Sequence, residues 1–240
     1  MTGLVSDTAM LMAAGLGKRM RPLTATQPKP LVRVAGKALI DHALDRLADA
    51  GIARAVVNVH YLADALEAHV REREHPAVVV SDERDELLET GGGLVKANAA
   101  GLLPDPFFCT NADSIWPDGP SHCLLDMSRL WDGERMDALL LVVPHDQTVN
   151  FGGTGDFSLD GKGVLTRRRP GRVAPFIYTG IQLVSHRLLR DAPEGKFSTN
   201  LLWDRAIEES RLHGAVFTGR WIEVGRPEHI APAEVELGRG

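Results

Sequence analysis

Between residues 8 and 110 the chain alternates apolar runs of strand length with amphipathic stretches, and this alternation narrows its possible folds more than any other feature. Thr8 to Ala14 is a continuous apolar run that ends at Gly15-Leu16-Gly17. Ala55 to Val59, Ala77 to Val80 and Pro106 to Thr110 are further runs of the same kind. Between them, Leu39, Ile40, Ala43, Leu44 and Leu47 fall on one helical face, with Gly51 as the stop. Leu62, Leu66 and Val70 recur at four-residue spacing, and Gly91 to Ala100 reads as a helix opened by glycines. Strands apolar on both faces belong in a sheet covered on both sides. The pattern therefore predicts an α/β chain with a Rossmann-like, mixed and mostly parallel sheet flanked by helices. Right-handed crossovers then bring the loops that follow the strands to one edge, where Gly15, the Glu89 to Gly92 turn and Asp113 would meet.

The second half is less regular. Ala138 to Val143 and Ile177 to Leu183 read as strands, Thr199 to Glu209 as a helix, and Ala215 to Val224 as one or two short strands. Pro227 to Leu237 reads as helical, and the glycine-rich, basic stretch from Asn150 to Arg172 as hairpins and loops. With no linker, low-complexity segment or internal repeat, residues 1–240 are expected to form one domain. Hexapeptide repeats are absent, so no C-terminal β-helix domain is expected.

Composition excludes several partners. A net charge of -5 provides no global positive field for nucleic acid. No run approaches the roughly 20 apolar residues that span a bilayer. The leader Met1 to Asp7 lacks the basic start and apolar stretch of a signal peptide, so a cytoplasmic location without membrane contact is expected. Cys109 and Cys123 are too few for a disulfide framework or a zinc site, and Cys109 reads as a buried thiol. The nine histidines show no metal-ligand spacing. A monomer and a homodimer are both compatible with the sequence.

Ala13 to Thr24 carries the densest chemistry. Glycines after a buried strand let backbone N–H groups approach an anion closely, and Lys18, Arg19 and Arg21 add positive charge beside them. A P-loop would need Ser or Thr after Lys18, and the dinucleotide fingerprint a glycine where Met20 stands. A plain glycine turn with solvated charges is the competing reading. In Gln27-Pro28-Lys29-Pro30-Leu31 the two prolines predict a stiff extended segment that fixes where Lys29 projects.

Together, Gly15 to Thr24 and Pro28 to Leu31 resemble the signature of the sugar-1-phosphate nucleotidyltransferases, or NDP-sugar pyrophosphorylases, and the likeness continues weakly through most of the chain. The resemblance implies the nucleotide-diphospho-sugar transferase type of fold. It implies an enzyme that joins a nucleoside triphosphate to a sugar 1-phosphate with Mg²⁺ and releases pyrophosphate. By it, the backbone of Ala13, Ala14, Gly15 and Gly17, with Lys18, cradles the nucleotide. Arg19 contacts the phosphates, Lys29 meets the sugar phosphate, and the Glu89-Thr90-Gly91 turn contacts the base. In Asn111-Ala112-Asp113, Asn111 faces the nucleotide and Asp113 holds the metal, with Ala112 standing where the family has glycine. Trp221-Ile222-Glu223-Val224-Gly225 matches a motif whose acid is the second metal carboxylate. Here that acid is Glu223 rather than aspartate, one methylene longer.

Thr179 and Gly180 resemble the sugar-contacting strand, although tight strand packing would also explain them. Arg169 stands near a family lysine that contacts the sugar phosphate, against the reading of Arg167 to Arg169 as a solvated charge run. An arginine in that run would suit a carboxylate on the sugar. Asn58 and His60 end the second strand and would face the same cleft, His60 more as a structural or surface residue. Within the family the short form, Pro-Lys-Pro-Leu-Val and Glu-Thr-Gly-Gly-Gly resemble the bacterial branch that uses UTP and N-acetylmuramate 1-phosphate in cell-wall recycling. Mannose 1-phosphate with GTP and other hexose or heptose phosphates are the alternatives. A non-catalytic nucleotide-sugar-binding subunit and a cytidylyltransferase are the readings of another kind.

Overall fold

The computed structural model describes residues 3–117 and 122–238, so the first two residues of the leader lie outside it. The strands are β1 (Thr8–Met12), β2 (Arg33–Val34), β3 (Lys37–Ala38), β4 (Arg54–Val59), β5 (Ala77–Asp82), β6 (Phe107–Asn111) and β7 (Ser114–Ile115). They continue as β8 (Ala138–Pro144), β9 (Thr148–Val149), β10 (Phe157–Leu159), β11 (Leu165–Arg167), β12 (Phe176–Val184), β13 (Leu212–Val216) and β14 (Trp221–Glu223). The α-helices are α1 (Leu39–Ala50), α2 (Ala63–Arg71), α3 (Glu89–Ala99), α4 (Cys123–Leu130), α5 (Asn200–Glu208) and α6 (Ile230–Leu237).

The central sheet is mixed. β5, β4, β1 and β6 lie side by side and parallel. β12 joins antiparallel to β6, β8 antiparallel to β12, and β13 parallel to β8. The β10–β11 hairpin hangs from the start of β12 through Phe157 and Phe176, as the glycine-rich stretch predicted. Along β1 the side chains alternate between two cores. Ala9 and Leu11 pack with residues of α1, α2 and α4 on one face, and Met10 with residues of α3 and α5 on the other.

A second sheet, β7–β14–β9, lies at one end over a smaller apolar cluster that includes Met20, Ile115, Ile222 and Val224. This sheet brings Glu223 beside Ser114, the residue after Asp113.

α1 has the predicted bounds because its apolar stripe and its stop coincide. Gly51 adopts φ 93°, and the amides of Gly51 and Ile52 satisfy the carbonyls of Ala48 and Leu47 at 2.9 and 3.0 Å. α4 and the β2–β3 hairpin are additions that the sequence reading did not anticipate.

Lys29 corrects the expectation of an extended segment. Pro28 is extended (φ -70°, ψ 150°), but Lys29–Leu31 forms one turn of 3-10 helix. Proline is tolerated in a first helical turn because its missing N–H has no partner there in any case. The lysine is still held on a stiff support.

The glycines of α3 answer to packing. A Cβ at Gly92 would stand 2.2 Å from the Gly195 carbonyl oxygen, and one at Gly91 2.3 Å from the Phe197 ring. Gly92→Ala gains about 1 kcal/mol of helix propensity. It also drives a methyl into backbone that cannot rotate away, and overpacking typically costs about 1–3 kcal/mol. The clash should win, lowering the melting temperature by roughly 2–6 °C in thermal denaturation. An unchanged or raised melting temperature would mean that residues 195–197 do not pack on α3.

Candidate active site

Beyond Met12 the chain passes through Ala13, Ala14 and Gly15 into Gly17, whose φ of 59° is left-handed. A Cβ at Gly17 would lie 3.0 Å from both Lys29 Cβ and Thr24 Cγ2, so this glycine lets the lysine stem rest on the turn. The Thr24 hydroxyl donates to the Gly17 carbonyl at 2.9 Å and closes the loop. Gly15 is different. A Cβ there would meet nothing within 4 Å, so packing does not demand glycine, and the bare backbone borders an open cavity.

That cavity, of about 380 Å³, lies at the carboxyl edge of the parallel strands. It is lined by Ala13, Ala14, Gly15, Lys29, Asn58, Glu89, Thr90, Asn111 and Asp113, together with Met12, Pro30, Leu87, Ala112 and Ser198. The Lys29 ammonium forms an ion pair with Asp113 Oδ2. Glu89 holds an unusual positive φ of 60° at the cavity wall and pairs with Lys196 at 3.6 Å. Gly17, Lys18 and Arg19 do not line the cavity, and Lys18 and Arg19 are exposed. Arg19 instead reaches toward Glu223. Its Nη2 and Glu223 Oε1 lie 3.5 and 3.2 Å from the point where a Cβ of Gly225 would stand.

Two expected contacts change character. The amides of Ala13 and Ala14 are not open donors, because both point at Asn58 Oδ1, at 2.6 and 3.3 Å. Gly91 does not reach the cavity. Its amide and that of Gly92 donate to the Phe197 carbonyl at 2.9 and 3.3 Å, so these two N–H groups of the helix end are satisfied by the chain itself. Glu89 and Thr90 remain exposed at the cavity.

Among the described residues no three His, Cys, Asp or Glu side chains gather as a cage for a metal. Asp113 and Glu223 nevertheless offer hard oxygen donors on neighbouring segments. Such a pair suits a divalent ion that takes its other ligands from phosphate and water, so the residues present fit one.

A second cavity of about 290 Å³ shares Met12, Thr90, Asn111 and Ser198 with the first and runs toward β12. Its wall carries Arg167, not Arg169, which is exposed and lines neither cavity. In β11, Leu165 and Arg167 share a face by strand alternation, and Leu165 is buried, whereas Arg169 lies beyond the strand. The Arg167 guanidinium lies 5.1 Å from the Phe157 ring centre and 5.6 Å from that of Trp203. Its Nε donates to Asp204 at 2.7 Å and its Nη2 to the Asn200 carbonyl at 3.1 Å. Asp156, on the same wall, accepts the Tyr178 amide at 2.9 Å.

Thr179 does not present its side chain to either cavity. It is fully buried, with its hydroxyl on the Leu141 carbonyl at 2.9 Å. Gly180, at φ 89°, is required because a Cβ would stand 2.8 Å from Asn111 Nδ2. Strand packing therefore explains this pair, although Gly180 leaves Asn111 its place in both cavities. Cys109 lies at the base of the second cavity with its thiol pushed up to about 12 by burial, a poor nucleophile.

Sequence reading missed Glu83, Asp156, Gln182, Ser198 and Trp203. Glu83 had a signal, being a polar residue just past a parallel strand, at the same sheet edge as Asn58 and Asp113. His60 turns its Nδ1 to the Glu83 carbonyl at 2.7 Å and takes a structural place.

Comparison with known proteins shows the family of the chain. A family model described as nucleotidyl transferase matches residues 8–153. The chain is 45% identical over 233 residues to an N-acetylmuramate alpha-1-phosphate uridylyltransferase of Caulobacter vibrioides, covering 95% of this chain and 96% of that one. It is 33% identical over 239 residues to the protein of the same name from Neisseria meningitidis serogroup B, covering 96% and 98%. Among solved structures, the inositol-1-phosphate CTP transferase of T. maritima shares the fold. Its TM-score is 0.78 at 16% identity, over 98% of this chain and 97% of that one.

Proposed function

This chain belongs to the nucleotidyl transferase family as a sugar-1-phosphate nucleotidyltransferase, and on that premise we propose that it joins UTP to N-acetylmuramate 1-phosphate in the cytoplasm, releasing pyrophosphate. The observation that carries the reading is the Lys29–Asp113 pair in the wall of a cavity that continues into a second one. One cation and one acid stand side by side in the first cavity, the nucleotide compartment of this reading, which opens into the second, its sugar compartment. The two relatives that bear the name of this activity support the choice of sugar and base.

The reaction is in-line attack by a sugar-phosphate oxygen on the α-phosphorus, with the bond to the β-phosphate oxygen breaking as pyrophosphate leaves. The nucleophile is already anionic near neutral pH and needs no base. The obstacle is repulsion. Two like unit charges 4 Å apart oppose each other by about 4 kcal/mol at an effective dielectric constant of 20. Lys29 binds the sugar phosphate and orients it toward the nucleotide, and Arg19 offsets charge on the triphosphate. Magnesium, held by Asp113 and Glu223, would supply further neutralisation across the phosphate oxygens. Glu89 and Thr90 border the base, and Asn111 spans the two compartments.

Arg167, although paired with Asp204, supports the choice of an acidic sugar. Its guanidinium is held against two aromatic rings at the far wall, and N-acetylmuramate carries a carboxylate that a neutral sugar lacks.

Arg19→Ala and Lys29→Ala should each lower turnover by about 10²–10³ with the melting temperature retained. Near-normal turnover in either variant removes that residue from the mechanism. A pyrophosphate-release assay over a matrix of triphosphates and sugar 1-phosphates should respond most strongly to UTP with N-acetylmuramate 1-phosphate. Response to GTP with mannose 1-phosphate alone would overturn that choice. Arg167→Met should raise KM for N-acetylmuramate 1-phosphate at least tenfold, about the worth of a charged hydrogen bond. KM for N-acetylglucosamine 1-phosphate, which lacks the carboxylate, should change little. Equal effects on both sugars would count against Arg167 as the carboxylate reader.

A further inference from the structure

We propose that Glu83 is a positioning residue for nucleotide binding, acting through Asn58 on the Ala13–Ala14 turn. This inference rests on reading the first cavity as the nucleotide compartment. Asn58 is the penultimate residue of β4, is 1% exposed, and reaches across to the end of β1. Its Oδ1 accepts the amides of Ala13 at 2.6 Å and Ala14 at 3.3 Å, while its Nδ2 donates to Glu83 Oε1 at 2.9 Å. The position needs one atom that accepts twice and another that donates. Asparagine supplies both. Aspartate lacks the donor, and leucine would leave two buried amides unpaired.

Glu83 is fully buried, and among the described residues its Oε2 has no hydrogen-bond partner. Burial raises the pKa of this carboxyl above the usual range, with the Asn58 hydrogen bond acting in the opposite direction. A buried carboxyl is a costly way to fill space. The backbone around it nevertheless fixes it firmly. The Glu83 amide donates to the Val59 carbonyl at 2.8 Å, and its own carbonyl meets His60 Nδ1 at 2.7 Å.

α3 is built around the pair. A Cβ at Gly93 would stand 2.8 Å from Glu83 Oε1 and 3.1 Å from Asn58 Nδ2, so the third glycine of the run gives the pair its room. Glu83, Asn58 and Gly93 thus join three elements: the turn after β1, the end of β4, and the helix whose first residues, Glu89 and Thr90, form the opposite wall of the cavity. The clasp sets the separation of the two walls between which the nucleotide lies.

The test reverses the polarity of the hydrogen bond. Asn58→Asp sets a carboxylate against a carboxylate, whereas the double variant Asn58→Asp/Glu83→Gln restores a donor–acceptor pair with donor and acceptor exchanged. In Asn58→Asp, KM for the triphosphate should rise roughly tenfold, with kcat and KM for the sugar phosphate within about threefold of wild type. In the double variant, KM for the triphosphate should return to within about threefold of wild type. Calorimetry of wild-type protein with UTP is run alongside. Absence of binding there overturns the reading of the cavity itself. Wild-type binding with an unchanged KM in Asn58→Asp, or with no recovery in the double variant at a matched melting temperature, overturns the role of Glu83 alone.

Discussion

Four parallel strands that end on one line impose the geometry on which this molecule depends. β5, β4, β1 and β6 each bring residues at or just past their carboxyl ends to a common edge. There Glu83, Asn58, the Ala13–Gly15 turn and Asp113 emerge as neighbours although they span a hundred positions of sequence. Two phosphorylated substrates repel each other in water, and only groups fixed in advance can offset that repulsion without being reorganised during reaction. A sheet edge provides such fixation, because each polar residue is anchored by a buried strand directly behind it.

The antiparallel half contributes the second compartment and closes the site. β12 carries Gly180, whose missing side chain leaves Asn111 room to stand between the cavities. The β10–β11 hairpin, attached to the start of β12, presents Arg167 from the far wall. The small β7–β14–β9 sheet draws Glu223 from the end of the chain to the residue after Asp113. The fold thus brings late segments to a site whose framework is laid down in the first 113 residues.

Residues whose demands are local were legible in the sequence. α1 is set by one apolar stripe and one glycine, and Lys29 and Asp113 by their places between prolines and after a buried strand. Demands that come from far away were not legible. Gly91, Gly92 and Gly93 look like a loop made for a ligand, yet they are answered by Phe197, by Gly195 and by the Glu83–Asn58 pair. The choice between Arg167 and Arg169 turns on strand alternation in a three-residue strand too short to recognise in advance. Thr179 faces inward because Leu141, on a partner strand, takes its hydroxyl. Nothing within ten residues of Thr179 announces that contact.

The central claim is that Lys29, Asp113 and Glu223 act together at the first cavity, Lys29 and Asp113 in its wall and Glu223 on the strand beside Ser114. A crystal structure with Mn²⁺, a non-hydrolysable UTP analogue and the sugar phosphate tests it most directly, since anomalous scattering locates the ion. The account predicts the ion on the carboxylates of Asp113 and Glu223, the base beside Glu89 and Thr90, and the Lys29 ammonium on the sugar phosphate. An ion bound away from Asp113, or a triphosphate seated outside the cavity bordered by Gly15 and Lys29, would contradict it.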